Sequence, residues 1–263
     1  MSVVGRVDGL WRYPVKSMCG EELEEAFVGF SGIYGDRVFA FLSSASSKGF
    51  PYLTAREQKE VLRYRPRFRD VKSAAQPVNL TEAMSIEPGV TPLYADPSGV
   101  VVDVETPKGE VLSIDDLALI RMLSEGMGSE HELTLRRSER AMTDCRPISL
   151  FAVQTAQALG NELGVAVDKR RFRANIYLDL ESGTGFAEDG FVGQVLRIGS
   201  KTTISILERD PRCKMITLDP DTGESTPQLL RAVAQSHEGK AGVYGAVLVE
   251  GTVRDGDVVE LLN

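Results

Sequence analysis

The stretch VLRIGSKTTISIL, residues 195–207, decides the fold. Val195–Ile198 and residues 202–207 are short runs rich in β-branched side chains, and Gly199-Ser200-Lys201 between them is typical of a tight turn. Similar runs, bounded by Gly, Pro, Asp and Ser, lie at residues 38–42, 100–104, 111–114, 175–180, 243–249 and 258–262. The runs at residues 100–104 and 111–114 are predicted to form a hairpin through residues 106–109. Many short strands are typical of barrels and sandwiches, so the sequence predicts a mainly β fold with a few helices.

Two segments have the apolar spacing of a helix. Residues 117–123 form the first, which we expect to end at Gly126. The second has apolar side chains three and four residues apart, at Ala152, Val153, Ala156, Leu159 and Leu163. We expect Ser149 to cap its start, and Gly160 and Gly164 to end it.

Composition places the chain among ordinary globular proteins. Its 263 residues are 42% hydrophobic and 26% charged, which excludes a disordered tail, a collagen and a coiled coil. With 38 acidic and 30 basic residues the net charge is -8, and an acidic surface repels phosphate backbones. Nucleic acid is therefore not an expected partner, although this charge still allows a local cationic pocket for one small anion.

Two further features concern domain organisation and location. Residues 76–97 contain four prolines and predict a boundary between domains at 1–95 and 96–263. The longest run without Asp, Glu, Lys or Arg, residues 147–161, is 15 residues long, which is too short for a membrane span. The N-terminus has no secretory signal, so we expect a cytoplasmic protein.

Cysteine and histidine usage excludes several common metal sites. Cys19, Cys145 and Cys213 are an odd set without a CxxC motif, so neither a disulfide framework nor an iron–sulfur cluster is expected. His131 and His237 are the two imidazoles of the chain. A zinc site of the usual Cys/His kind is therefore improbable.

A first candidate site combines Tyr13-Pro14-Val15-Lys16-Ser17 with Gly35-Asp36-Arg37. A lysine beside a hydroxyl, in backbone restrained by proline, can cradle a phosphate or another anion. The alternative is a turn at a strand end with a surface lysine. Spacing alone favours that alternative, because lysines are mostly exposed.

A second candidate is Lys169-Arg170-Arg171-Phe172-Arg173, which has four cations in five residues. If this segment is a strand, alternation places Arg171 and Arg173 on one face and Arg170 on the other. Forked guanidinium groups suit the capture of a phosphate or a carboxylate. The equally open alternative is a solvated basic face that balances nearby acidic side chains.

The third candidate is Cys213, which lies between Arg212 and Lys214 in a segment punctuated by Pro and Gly. Neighbouring cations favour the thiolate, which is both a nucleophile and a soft metal ligand. The alternative is a buried and inert cysteine, the commoner state of an isolated free cysteine.

A series of motifs in chain order resembles the MOSC family, which is named for the C-terminal domain of molybdenum-cofactor sulfurases. The motifs are YPVKS (13–17), GDR (35–37), RRFRAN (170–175), AEDGFVG (187–193), RCKMITLDPDTG (212–223), GVYG (242–245) and GTVRDGD (251–257). The chain is similar to members that carry an N-terminal β-barrel domain before the MOSC domain, a group that includes the mitochondrial amidoxime-reducing component. The similarity extends from about Val4 to Leu261.

The resemblance implies a MOSC β-barrel domain after an N-terminal β-barrel-like domain, with a molybdenum cofactor bound by residues from both parts. This cofactor is a pterin dithiolene that bears a phosphate and holds molybdenum. Cys213 matches the cysteine that ligates the metal, and it would be the catalytic residue. The positions that match cofactor-binding residues are Lys16, Ser17, Arg37, Asp144, Arg173, Asn175, Arg212 and, in the GVYG motif, Tyr244.

By this analogy the protein is a molybdenum-dependent oxidoreductase that reduces small N-hydroxylated or other N-oxygenated compounds. The chain lacks cysteines for an iron–sulfur cluster, so electrons are expected from a separate reductase or ferredoxin-type protein. The alternatives are a sulfur carrier, with a persulfide on Cys213, and a storage or carrier protein for the cofactor. Relatives often have a small residue before Pro147, where this chain has Cys145 and Arg146, so the resemblance assigns neither of these a role.

Overall fold

The computed structural model of the protein describes residues 1–47, 49–86, 93, 100–125, 127 and 131–262. In these residues the strands are β1 (Ser2–Arg12), β2 (Glu21–Leu23), β3 (Glu25–Gly29), β4 (Gly32–Ile33), β5 (Phe39–Ser43), β6 (Arg65–Phe68), β7 (Val102–Glu105), β8 (Val111–Ser113), β9 (Leu133–Arg137), β10 (Ile148–Ala152), β11 (Ile176–Leu180), β12 (Val195–Ile198), β13 (Thr202–Pro211), β14 (Lys240–Val249), β15 (Gly251–Arg254) and β16 (Val258–Leu262). The α-helices are α1 (Leu80–Met84), α2 (Leu117–Ser124), α3 (Val153–Leu163) and α4 (Pro227–Ser236). Short 3-10 helices span Lys59–Arg63, Lys169–Phe172, Ala187–Phe191 and Lys214–Thr217.

Seven strands close into a barrel within one compact unit of the chain. This barrel unit is built from Met1–Arg12, Glu22–Ile33 and Thr143–Asn263. Around the barrel the strand order is β1-β11-β10-β14-β13-β12-β16. The pairing of β16 with β1 closes the barrel. Neighbouring strands are antiparallel, except for the parallel pair β10 and β11. Closure pairs the two edge strands of the sheet, so their backbone groups do not stay open.

The barrel encloses an aliphatic core because inward and outward side chains alternate along its strands. In β13, Ile204 and Ile206 are buried, whereas Thr203 and Ser205 are half-exposed. Buried side chains from the other strands, such as Leu150 of β10, join the same cluster.

The outer face of β10 and β11 carries a second cluster of buried side chains. Phe151 and Tyr177 belong to it, together with side chains of α3 and α4. Phe172 stacks on Phe151 with ring centroids 4.1 Å apart, and Ile216 is part of the same cluster. These contacts anchor the 3-10 helices Lys169–Phe172 and Lys214–Thr217 on the barrel. They thereby place Arg173, which follows the first helix, and Cys213, which precedes the second.

The second unit consists of Tyr13–Glu21 and Tyr34–Met142. In it β5 pairs antiparallel with β9, and β6, β7 and β8 form an antiparallel sheet. The predicted hairpin at residues 100–114 is confirmed as β7 and β8. Its turn is closed by the amide of Thr106, which donates to the carbonyl of Glu110 at 2.8 Å.

The predicted mainly β fold is confirmed, and a strand is present in each of the predicted runs. The predicted helix at 117–123 is confirmed as α2, while its expected end at Gly126 lies outside the described residues. The structure also contains β1, β10 and α4, which the sequence patterns did not predict.

Three sequence interpretations are wrong. Ser149 does not cap α3, because it lies inside β10 and the helix begins at Val153. Gly160 lies within the helix, and Gly164 ends it as a left-handed C-cap with φ +67°. Residues 169–173 are not a strand, because Lys169–Phe172 is a 3-10 helix, so the predicted alternation of arginines does not apply.

The predicted domain boundary between residues 95 and 96 lies outside the described residues and stays a prediction. Each compact unit is assembled from separated segments of the chain. Within the described residues, no helix is both long enough and apolar enough to cross a membrane.

Candidate functional site

Cys213 begins a turn at the end of β13. The strand ends at Pro211, and Cys213 directly precedes the 3-10 helix Lys214–Thr217. The thiol is free and the residue is exposed, whereas Ile216 and Thr217 of the same turn are buried. The interpretation of Cys213 as a buried, inert cysteine is therefore wrong, and a rigid turn presents this thiol to solvent.

Arg173 ends a neighbouring turn. It is the C-cap of Lys169–Phe172, its amide donates to the carbonyl of Arg170 at 3.1 Å, and its φ is +52°. This left-handed backbone costs a non-glycine residue roughly 1–2 kcal/mol. Folding fixes the direction of the Arg173 side chain at this cost.

The other three cations of this segment are engaged by carboxylates. Lys169 pairs with Asp8, and Arg171 pairs with Asp219 at 3.0 Å. Arg170 pairs with Asp168 and with Asp221, each at 2.6 Å, and these hydrogen bonds raise its pKa above the ordinary value. The charges of Lys169, Arg170 and Arg171 are thus balanced by carboxylates within the fold, as the alternative of a basic face expects.

Two residues predicted to bind the cofactor hold the barrel unit together. Asn175 is buried: its backbone and side chain exchange hydrogen bonds with Ser149, and its amide nitrogen donates to the carbonyl of Trp11 at 3.3 Å. The side chain of Arg212 is 7% exposed, and its guanidinium pairs with Asp210 at 2.8 Å. Both side chains have partners of their own in the fold, and their direct contact with a ligand stays a prediction.

Asp144 lies near the start of β10 in sequence, and Tyr244 lies near it in space. Asp144 is exposed in the segment before β10, and Tyr244 is half-buried on β14 opposite Ser149. In the same segment Arg146 pairs with Glu208 at 2.6 Å. Burial, with Glu208 nearby, raises the pKa of the Cys145 thiol, which disfavours the thiolate there.

In the second unit, Lys16, Ser17 and Arg37 are placed by two turns. The ammonium of Lys16 is buried, donates to the carbonyl of Met142 at 2.7 Å and lies 5.1 Å from the centre of the Phe50 ring. The guanidinium of Arg37 pairs with the buried carboxylate of Asp36. The alternative of a surface lysine at this turn is therefore wrong.

Left-handed backbone singles out three of the predicted site residues. Among the described residues, five that are not glycine have positive φ: Ser17 (+71°), Arg37 (+48°), Arg173 (+52°), Phe186 (+63°) and Glu238 (+56°). Such residues are uncommon, and they concentrate at binding sites, where the surrounding structure offsets the strain. The first three are among the nine residues that the sequence predicts to bind a cofactor or its metal.

Sequence reasoning missed several residues that build the site. Asp36 lies inside the GDR motif and Asp210 lies two residues before the RCKMITLDPDTG motif, yet nothing in the motifs shows that these carboxylates are buried against arginines. The rings of Phe50 and Tyr52, which lie 5.1 Å and 4.9 Å from the Lys16 ammonium, carry no sequence signal at all.

The described part of the chain has no group of three or more His, Cys, Asp and Glu side chains that could hold a metal ion. Cys213 can thus supply one ligand, and a metal bound there must bring its others. In the barrel unit, the exposed thiol of Cys213 and the turn that ends at Arg173 fit a metal cofactor that has its own sulfur ligands and a phosphate. The residues of this chain therefore fit the cofactor that the sequence motifs imply.

Comparison with known proteins gives two family matches. The MOSC domain matches residues 137–260, and the MOSC N-terminal beta barrel domain matches residues 4–94. Both matches confirm the resemblance drawn from the motifs. No curated protein matches the chain.

Several solved structures resemble this chain. The YuaD protein of Bacillus subtilis is 13% identical, with coverage of 98% of this chain and 95% of that one, and a TM-score of 0.48. The YiiM proteins of Geobacillus stearothermophilus and Escherichia coli are 21% and 17% identical, each with coverage of 45% of this chain and 55% of theirs. Their TM-scores are 0.35 and 0.33.

Proposed function

Because the chain belongs to the MOSC family, carrying the MOSC domain and the MOSC N-terminal beta barrel domain, we propose that it binds the molybdenum cofactor. We further propose that it works as an oxidoreductase on small N-hydroxylated or other N-oxygenated compounds, in the cytoplasm. The electrons would come from a separate reductase or ferredoxin-type protein.

The observation that carries this proposal is the junction of two turns in the barrel unit. One turn begins with the exposed thiol of Cys213, and the other ends with Arg173 in left-handed backbone. The turns are joined directly, since Arg171 donates to the carbonyl of Thr217 at 2.9 Å and Arg212 donates to the carbonyl of Phe172 at 2.9 Å. A soft metal ligand and a guanidinium on adjoining rigid turns suit the metal and the phosphate of one cofactor.

Residues of each unit have a role in this proposal. Cys213 ligates the metal, and Arg173 neutralises negative charge of the pterin phosphate. Lys16, Ser17 and Arg37 contribute further cations and a hydroxyl from the second unit. An acidic protein of net charge -8 needs such a local positive field to hold an anionic cofactor.

When bound, the cofactor supplies the redox chemistry, because molybdenum changes between oxidation states that no side chain provides. The residues of this chain orient the group, hold its charge and keep one face of the Cys213 turn open to solvent. An exposed turn is compatible with access for a small substrate.

The first test compares two arginines of the same turn. In protein from a host that makes the cofactor, Arg173→Ala is expected to lose most of its bound molybdenum with little change in Tm. Arg170→Ala is the matched control, because Arg170 already pairs with Asp168 and Asp221, and it is expected to retain the metal. Equal molybdenum content in Arg173→Ala and the parent would contradict the assignment.

Activity is tested separately from binding. The metal-loaded protein is expected to reduce a simple aromatic N-hydroxyamidine when a chemical reductant replaces the unknown electron donor. Full molybdenum content without turnover of any N-oxygenated compound would contradict the reductase proposal but not cofactor binding.

The exposure of Cys213 also favours one alternative, a sulfur carrier in cofactor metabolism. A solvent-facing thiol on a rigid turn suits a persulfide as well as a metal ligand. Mass spectrometry of the purified protein separates the two. A persulfide on Cys213 without molybdenum would favour the carrier, and bound molybdenum would favour the oxidoreductase.

A further inference from the structure

We propose that Arg212 is a positioning residue that couples the Cys213 turn to the Arg173 turn. This inference rests on the proposed function, in which Cys213 and Arg173 hold one ligand together.

The guanidinium of Arg212 joins three segments of the barrel unit. Its Nε donates to the carbonyl of Ala241 at 2.6 Å, at the start of β14, and its Nη1 donates to the carbonyl of Phe172 at 2.9 Å. The backbone amide of Arg212 donates to the carbonyl of Gly239 at 2.8 Å. The residue before Cys213 is thus bonded directly to the residue before Arg173.

The charge of Arg212 is compensated at the same place. Its Nη1 lies 2.8 Å from a carboxylate oxygen of Asp210, and the side chains of Arg212 and Asp210 are only 7% and 3% exposed. The guanidinium carbon lies 5.3 Å from the ring centre of Phe172 and 6.0 Å from that of Phe151. A buried cation needs a carboxylate and aromatic rings of this kind, because burial without partners is costly.

The remaining nitrogen, Nη2, is buried, and within the described residues it makes no hydrogen bond. Gly242 packs against it so closely that a Cβ at Gly242 would lie 2.9 Å from Nη2. The other two guanidinium nitrogens, Nε and Nη1, carry the contacts that join the segments.

The consequence concerns the geometry of both turns. Cys213 directly follows Arg212, and Arg173 directly follows Phe172. The guanidinium of Arg212 therefore limits the movement of Cys213 and Arg173 relative to each other. A thiolate and a guanidinium that must meet different parts of one ligand benefit from such a fixed separation, because pre-organisation lowers the cost of binding.

The test uses Arg212→Lys in the full-length chain, with Arg209→Lys as the matched control. Arg209 lies on β13, three residues before Arg212, and pairs with Asp189 at 2.9 Å, but no hydrogen bond of its side chain reaches either turn within the described residues. Lysine keeps the charge and loses the fork of donors. Amide hydrogen exchange of the metal-free proteins measures local opening, and molybdenum content after expression in a cofactor-competent host measures retention.

In Arg212→Lys, the amides of residues 172–175 and 212–217 are expected to exchange together, roughly tenfold faster than in the parent, which is equivalent to about 1.4 kcal/mol of local stability. Molybdenum content is expected to fall in this variant and to stay at the parental level in Arg209→Lys. In the metal that remains bound, X-ray absorption is expected to show fewer sulfur ligands per molybdenum, which a loss of overall stability alone does not cause.

Three results would overturn the proposal or separate it from the proposed function. Unchanged exchange in either turn would show that Arg212 does not couple them. Faster exchange with parental molybdenum content and sulfur coordination would show that the coupling does not serve the cofactor. If Arg212→Lys does not fold, the double variant Asp210→Asn/Arg212→Gln removes both buried charges and takes its place. A parent protein without molybdenum would contradict the proposed function, while the exchange rates would still decide whether the turns are coupled.

Discussion

Glu188 is a fully buried carboxylate that serves the start of α3. The hydroxyl of Thr155 donates to both of its oxygens at 2.8 Å, and the amide of Ala152, the N-cap residue, donates at 3.3 Å. The carboxylate thereby satisfies donors at a helix N-terminus, where the helix dipole also favours negative charge. Glu188 thus serves the start of the helix, where the sequence predicts Ser149.

Stability is expected to fall with rising pH because of this residue. Burial raises the pKa of Glu188 above its ordinary value of 4.5, against the opposing hydrogen bond from Thr155. The folded protein therefore holds this proton more tightly than the unfolded chain does. As pH rises above 4.5, the unfolded state loses its proton first, and the free energy of unfolding decreases until the folded pKa is passed.

The variant Glu188→Gln has no proton to lose, so its free energy of unfolding should depend less steeply on pH above 4.5. Urea titrations at several pH values measure this slope. Glu181→Gln, at an exposed carboxylate, is the control and should leave the slope as it is in the parent. Identical slopes in Glu188→Gln and the parent would contradict this account of Glu188.

Asp36 stabilises the second unit through a buried ion pair. Its carboxylate accepts the amide of Tyr13 at 2.8 Å and pairs with Arg37, and the two side chains of the pair are 0% and 13% exposed. Removal of one partner leaves a buried charge without its counterion, so Asp36→Asn should lower the free energy of unfolding by about 3–5 kcal/mol. Urea denaturation measures the change.

The exposed pair of Arg63 and Glu60 is the control for this prediction. Their side chains are 40% and 52% exposed, and Glu60→Gln should cost only about 0–1 kcal/mol. A similar loss in both variants would show that the Asp36 pair behaves as a surface pair.

At the residue scale, the sequence indicates which residues have the right chemistry but not which way they face. The motifs place Cys213 and Arg173 correctly as candidates, because their residue types are visible. They do not show that Arg212 and Asn175 turn into the fold, because both orientations are compatible with the same motif. Nor do they predict positive φ at Ser17, since a non-glycine residue adopts it only under tertiary constraint.

At the scale of elements, Gly164 ends α3 in a conformation that other residues adopt at a cost. Its φ is +67°, and among the described residues no side chain or backbone atom outside Gly164, its chain neighbours and its own helix lies within 4 Å of the position a Cβ would take. Gly164→Ala should therefore lower the free energy of unfolding by roughly 1–2 kcal/mol through backbone strain alone. Gly190 is the matched control, because it also has open space but no positive φ, so Gly190→Ala should be nearly neutral. Equal effects of the two substitutions in thermal unfolding would contradict this explanation.

The burial of β10 explains why the sequence predicts the start of a helix at Ser149, inside this strand. All five residues of β10 are buried, so the strand has no polar alternation and its apolar run merges with that of α3. Periodicity cannot separate a fully buried strand from a buried helix. In β12, buried and half-exposed residues alternate, and this strand is predicted correctly for the opposite reason.

At the scale of the whole molecule, the closed barrel depends on pairings between distant segments. Gly5 of β1 lies opposite Leu180 of β11 and also opposite Val259 of β16. Local patterns cannot predict such partners, although the number of short strands did favour a barrel. The sequence therefore predicts the class of the fold, while the segments that build each unit are known only from the structure.

Metal analysis of the parent protein and Cys213→Ser, both produced in a cofactor-competent host, tests the central claim most directly. Cys145→Ser, at another exposed thiol, is the control. We expect near-stoichiometric molybdenum in the parent and the control, and its loss in Cys213→Ser with a stability change within about 0.5 kcal/mol, as for other exposed side chains. Equal molybdenum in Cys213→Ser and the parent, or none in the parent, would contradict the proposal that this chain binds the molybdenum cofactor through Cys213.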